Sequence, residues 1–204
     1  LRYDVPMVAV ERPANVKEKY GDTEAITLKE DNKYCYSDSL LDATFFFMID
    51  AIGFEIQNKS DQTIKLIWDE AVMIEPDNSS TRVMHAGVKY NDRNSSMPPS
   101  IIPRRGKFDD QAVPVNRISW REGYYSKYGS SPGGWDNSGI FPWYLTVSTA
   151  SGNSEKDLFL AKGKKNIGSR IGLLLPFEIE GVKNDYTFWF EVKDVSIPPK
   201  TSNK

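Results

Sequence analysis

Between Phe54 and Trp68 the chain carries the pattern that most restricts its fold. Phe54 and Ile56 alternate with Glu55 and Gln57, a polar break runs from Asn58 to Thr63, and Ile64, Leu66 and Trp68 then alternate about Lys65. Alternation with a period of two puts one set of side chains on one face of an extended strand. The break is rich in Asn, Ser and Asp, which hydrogen-bond their own backbone and tolerate tight turns. The segment therefore predicts a β-hairpin with one apolar and one wetted face.

Other strand signals follow in quick succession along the chain. Ala25 to Leu28 is short and β-branched, and Lys33 to Ser37 alternates Tyr34 and Tyr36 about Cys35. Phe45 to Ile49 is apolar at every position, which predicts a strand covered on both faces. Ala71 to Ile74 and Arg82 to His85 read as strand, and Asn91 to Ser100 as a long loop before Ile101 and Ile102. Gln111 to Val115 and Arg117 to Trp120 are Pro-punctuated and predict sheet edges rather than centres. Ile171 to Ile179 and Tyr186 to Val192 predict a second hairpin across Glu180 to Asp185. Only Ser154 to Ala161 reads as helix, of one or two turns. Many short strands between turn-rich loops predict a single all-β domain, an antiparallel sandwich or barrel. Its expected limits are an N-terminal edge strand or tether over 1–22, the β domain over 23–197, and a flexible tail over 198–204.

Composition removes several functions from consideration. With 26 basic and 28 acidic residues interspersed along 204, the formal net charge is −2. Phosphate binding calls for a basic stripe, and Lys162 to Lys165 is better read as a solvated turn, so nucleic acid is not an expected partner. Cys35 is the single cysteine, which excludes an intrachain disulfide and a thiolate cluster, and it reads as a buried apolar thiol. His85 is the single histidine and has no Ser or Cys in a nucleophile-elbow context beside it. The paired carboxylates Asp69-Glu70 and Asp109-Asp110 are sequence neighbours, whose side chains on a strand would point to opposite faces. Asp136 to Ser138 and Asn91 to Asn94 do not match the spacing of a calcium loop. The expectation is a protein that is not an enzyme, with no catalytic residue, metal or cofactor. No apolar run approaches the roughly 20 residues that a membrane-spanning helix requires. The first residue is not Met, and a processed form is expected.

The densest feature lies between Trp120 and Tyr144, where Trp120, Tyr124, Tyr125, Tyr128, Trp135, Phe141, Trp143 and Tyr144 are interleaved with glycines and serines. A connection of this length is functional or disordered, or it folds back upon the sheet as an Ω-type loop. Aromatic rings with polar handles suit sugars or peptides, because one end stacks while the other hydrogen-bonds. Tyr124, Tyr125, Tyr128 and Trp135 are accordingly the candidate ligand-binding residues.

The stretch from Phe54 to Ser60, with Ile67-Trp68-Asp69 and Arg82-Val83-Met84-His85, resembles a family of bacterial envelope lipoproteins of the Bacteroidetes type. Leu173 to Pro176 and Tyr186 to Phe190 look like the closing hairpin of the same family, and the likeness spans roughly Tyr34 to Val195. The resemblance implies an immunoglobulin-like β-sandwich with long loops and little helix, exported to the cell envelope (the periplasm or the outer membrane surface). It also implies a membrane tether through an N-terminal lipid outside this chain. The family brings no activity with it. The leading expectation is a non-catalytic binding or interaction module of the envelope, its partner a glycan or an envelope protein. The alternative is a structural or assembly subunit that adds its N-terminal apolar strip, Val5 to Val10, to a neighbour's sheet.

Overall fold

The computed structural model describes residues 1–12, 25–29, 33–127, 129–141 and 153–197. In chain order the strands are β1 (Arg2–Asp4), β2 (Met7–Glu11), β3 (Ala25–Lys29), β4 (Lys33–Ser37), β5 (Leu41–Phe47), β6 (Ile52–Asn58), β7 (Ile64–Leu66), β8 (Val72–Ile74) and β9 (Ser80–Met84). They continue as β10 (Ser100–Ile102), β11 (Lys107–Pro114), β12 (Ile118–Arg121), β13 (Tyr124–Ser126), β14 (Gly129–Ser131), β15 (Gly134–Asn137), β16 (Arg170–Ile179), β17 (Val182–Glu191) and β18 (Asp194–Ser196). Among the described residues one α-helix, α1 (Asn153–Lys164), lies between β15 and β16. No helix among the described residues is long and apolar enough to cross a membrane.

The strands are antiparallel, and most join one 12-stranded sheet that folds upon itself into two walls. In the first wall β2 pairs β17 and β17 pairs β16; the far edge of β16 is shared between β7 at Phe177 to Ile179 and β8 at Gly172 to Leu174. The second wall is the meander β3–β4–β5–β6, with β11 on the far side of β6. At one seam β11 leaves β6 and pairs β9 through Val113↔Met84 and Pro114↔Val83. At the other, Cα atoms of β2 and β3 come within 8 Å, so the sheet is nearly closed.

The first predicted hairpin does not form. Phe54, Ile56, Ile64, Leu66 and Trp68 all face the core with no measurable exposure, as the alternation requires. Yet β6 pairs β5 and β11 while β7 pairs β10 and β16, so the two strands stand in opposite walls. Asn58 turns the break into a crossing. Its buried Nδ2 donates to the carbonyls of Gln62, Ile102 and Pro103 at 2.7, 3.3 and 3.0 Å, and its Oδ1 accepts from the Ser60 amide at 2.8 Å. The amide thus fastens the crossing to the end of β10 and satisfies carbonyls that the chain leaves unpaired where it turns.

The second hairpin forms and is tighter than expected, because Val182 to Asp185 belong to β17. Its turn is Glu180-Gly181, with φ of 51° and 77°. Two successive left-handed residues are the signature of a type I′ turn, whose twist matches the flanking strands.

Two further expectations are corrected, those for β5 and for α1. β5 is covered on one face: Leu41, Ala43 and Phe45 are buried, whereas Phe46 is 36% exposed and lies over its cross-strand partner Gly53, where the missing Cβ makes room for the ring. β11 stands between β6 and β9 in the strand order, but Lys107 to Ala112 pair β6 and Val113 and Pro114 pair β9, so the Pro-bearing end is paired on one side, as its punctuation predicts. α1 is 12 residues long rather than one or two turns. It docks by its C-terminal end, where Gly163 leaves room for Leu1 and Val195, so the apolar stripe that would have announced it is short. The N-terminal strip is engaged within the chain as β2 on β17, and β1 pairs β18.

The walls meet through aromatic rings. Phe45 contacts Phe188 and Phe190 at centroid distances of 4.5 and 5.6 Å, Tyr36 contacts Phe188 at 5.7 Å, and Phe54 contacts Trp68 at 6.1 Å. Beside them lies a buried polar knot. Asp38 accepts from the Tyr36 hydroxyl at 2.8 Å, the Tyr186 hydroxyl at 2.9 Å, the Leu40 and Leu41 amides at 2.8 and 2.9 Å, and Arg12 Nη1 at 3.4 Å. Burial, with the Asp38 charge beside it, pushes the Tyr186 hydroxyl well above the ordinary range of a phenol. One carboxylate thereby ties β2, β4 and β17 together.

Candidate functional site: an aromatic ribbon

The described part of the aromatic window is built on paired strands. Ile118 to Arg121 pairs Asn137 to Gly134, and Tyr124 to Ser126 pairs Ser131 to Gly129 in the same continuing register. β12 to β15 thus form one two-stranded ribbon that leaves the main sheet after β11 and returns after Asn137. The break in its ladder, at residues 122–123 and 132–133, is a backbone pinch. A Cβ on Gly123 would stand 2.6 Å from the Gly133 amide nitrogen and 3.0 Å from the Ser131 carbonyl oxygen. Only glycine permits that approach.

The base of the ribbon is clamped. Trp120 and Trp135 are cross-strand partners in edge-to-face contact at 5.4 Å, and Trp120 leans over Gly133. Trp135 also meets Tyr90 edge-on at 6.0 Å, and the Arg93 guanidinium lies 4.8 Å over its ring. Tyr90 and Arg93 come from a helical turn on the loop after β9, which packs against this face. Arg121 bonds Asp136 at 3.1 Å and Ser131 Oγ at 3.1 Å, bracing the strands across the pinch. Such contacts hold the ribbon in one orientation, and ring pairs of this kind contribute about 0.5–1.5 kcal/mol each.

The four candidate residues are therefore not one patch. Trp135 is half-buried at the base, packed against the core. Tyr124 and Tyr125 are neighbours on β13, beyond the pinch, 58% and 89% exposed. Adjacent strand residues point to opposite faces, so each tyrosine marks a different side of the ribbon. Tyr128 lies outside the described residues. The structure adds Trp120, 49% exposed, as the third available ring. Its direct opposition to Trp135 follows from the register of the two strands, which nothing local to either residue shows.

Other residues singled out in the sequence have structural surroundings. His85 does have a partner: Nδ1 is 3.4 Å from Asp110 Oδ2, and the ring stacks on buried Trp68 at 4.9 Å. Asp110 also accepts from the Ala86 and Gln111 amides at 2.8 and 2.7 Å. Among the described residues no hydroxyl or thiol is hydrogen-bonded to the imidazole, and no three His, Cys, Asp or Glu side chains converge as a metal site requires. Asp69 is held by Ser96, Met97 and Arg82, and these partners depress its carboxyl below the usual range. Cys35 is buried with its Sγ 2.9 Å from Thr44 Oγ1. No family model, curated protein or solved structure matches the chain, so the site is read from its own chemistry.

Proposed function

We propose that the protein is a non-catalytic binding module of the cell envelope, an immunoglobulin-like β-sandwich that presents the ribbon 118–137 to a glycan. One observation carries the reading: three large aromatic side chains, Trp120, Tyr124 and Tyr125, stand 49%, 58% and 89% exposed on an arm whose base is clamped. A fixed arm holds the rings ready at little ordering cost upon binding. Aromatic faces stack on the C–H faces of sugar rings, and the exposed Ser130 lies alongside. The two facing walls and their shared aromatic core support the sandwich; the envelope location rests on the family resemblance.

The test uses soluble dextran, xylan, mannan and chitin oligosaccharides together with purified peptidoglycan, with binding read by quenching of tryptophan fluorescence. At least one of them should bind the intact protein, and Tyr124→Ala with Tyr125→Ala should weaken that binding at least tenfold. Exposed substitutions shift stability by about 0.5 kcal/mol or less, so the melting temperature should hold. If none binds, or the double variant binds as well as the parent, the reading fails.

A further inference from the structure

A second site lies away from the ribbon, where the two described ends of the chain meet. A cleft of about 390 Å³ opens between β1, the start of β4 and the turn after β5. Its volume is within the range of small-molecule pockets, about 300–1,000 Å³, and its wall is mostly apolar. One wall is a column of rings: Tyr3 and Phe141 are stacked at 5.1 Å and 17°, and Phe141 and Phe47 at 5.9 Å and 28°, with Phe141 buried and Tyr3 and Phe47 half-buried at its two sides. Ile49, 48% exposed, stands at the rim. These near-parallel faces favour a flat apolar group that can extend the stack.

The polar end of the cleft holds Asp4, Arg2 and the Tyr34 hydroxyl. The Tyr34 hydroxyl donates to Asp4 Oδ1 at 3.4 Å, near the long limit for such a bond, which leaves most of the carboxylate's acceptor capacity open. Burial, and next the charge of Asp4, raise the Tyr34 hydroxyl above its ordinary value, as a local negative field should. Asp4 is also paired directly across the strand with Asp194, both of them exposed. Like charges placed directly opposite repel one another, and a cation between them relieves the repulsion. Of the two carboxylates Asp4 lines the cleft and Asp194 stands across the strand from it, and Arg2 brings one positive charge to the same lining.

We propose that this cleft binds a small aromatic molecule carrying a protonated amine, its ring on the Tyr3–Phe141–Phe47 column and its ammonium on Asp4. The site shares no residue with the ribbon and stands or falls independently of it.

Titration calorimetry with three probes tests the assignment: phenethylamine, 3-phenylpropionate, which keeps the ring and reverses the charge, and butylamine, which keeps the charge and lacks the ring. Phenethylamine should saturate with a Kd below about 1 mM, and each of the others should bind at least about tenfold more weakly, the loss expected from one charge-assisted contact or one stacked ring. Asp4→Asn should weaken phenethylamine at least tenfold and leave 3-phenylpropionate no weaker. Asp194→Asn, at an exposed position, should weaken phenethylamine to a smaller degree and guards against a folding defect in the first variant. Equal binding of the amine and the acid, absence of saturation by phenethylamine, or indifference to both substitutions would overturn the proposal.

Discussion

Replacing Asp38 with Ala tests whether the polar knot holds the two walls together. The substitution strips a carboxylate of zero side-chain exposure from two tyrosine hydroxyls, two backbone amides and a guanidinium. Removing one partner from a buried charge pair costs about 3–5 kcal/mol, since the other is left uncompensated. The orphaned hydroxyls and amides place this site at the upper end of that range. Domains of this kind are stable by about 5–15 kcal/mol, so a third or more of the total is at stake. At about 2–4 °C per kcal/mol, the melting temperature should fall by roughly 10 °C or more. Asp38→Asn keeps the shape and one acceptor oxygen and should cost about 1–3 kcal/mol. Urea unfolding followed by tryptophan fluorescence gives both values. A double-mutant cycle isolates the interaction: Tyr186→Phe should cost about 1 kcal/mol in the parent and nearly nothing beside Asp38→Ala. A loss below about 1 kcal/mol for Asp38→Ala, or an undiminished cost of Tyr186→Phe in that background, would refute the reasoning.

The remaining predictions concern titration, the ribbon and the closing turn. Tyr186 has a folded-state pKa above its unfolded value, so its contribution is fully present below about pH 10 and is lost as pH rises beyond it, by up to about 1.4 kcal/mol per pH unit; the slope should shrink in Tyr186→Phe when unfolding is repeated from pH 8 to 11. Gly123→Ala meets backbone atoms that cannot swing aside, so the ribbon should distort and the near-ultraviolet circular dichroism of the Trp120–Trp135 pair should collapse while core unfolding changes by less than about 1 kcal/mol. Gly181→Val puts a β-branched residue at φ 77° and should destabilise the closing hairpin by about 1–2 kcal/mol in urea unfolding, whereas Val182→Thr beside it should be close to neutral.

Much of the interior is legible in the amino-acid pattern. The alternation from Phe54 to Trp68 and from Tyr186 to Val192 names side chains that are buried, and the strands expected at Ala25, Lys33 and Ile171 are present. The ribbon was legible only as composition. Its aromatics and glycines were conspicuous, but the close approach of Gly123 to Gly133 and the opposition of Trp120 to Trp135 exist only once two distant segments are in register. Arg93 over Trp135 was out of reach for the same reason, since nothing local to residue 93 points across to residue 135.

By itself the sequence determined which side chains face inward, because a period of two is a property of the strand alone and the hydrophobic effect acts on each residue wherever its partner comes from. It placed the closing turn only within Glu180 to Asp185: Gly181 takes the left-handed backbone readily, but Glu180 is held there by the pairing of Val182 to Asp185 on either side of the bend. Tertiary structure decided the partners. β6 and β7 present the same oily face whether they hydrogen-bond side by side or confront each other across the core, and the choice fell to the bonds of Asn58 with a loop more than forty residues away. Asp38 likewise reads as an ordinary turn residue until Tyr186 arrives from the far end of the chain to meet it.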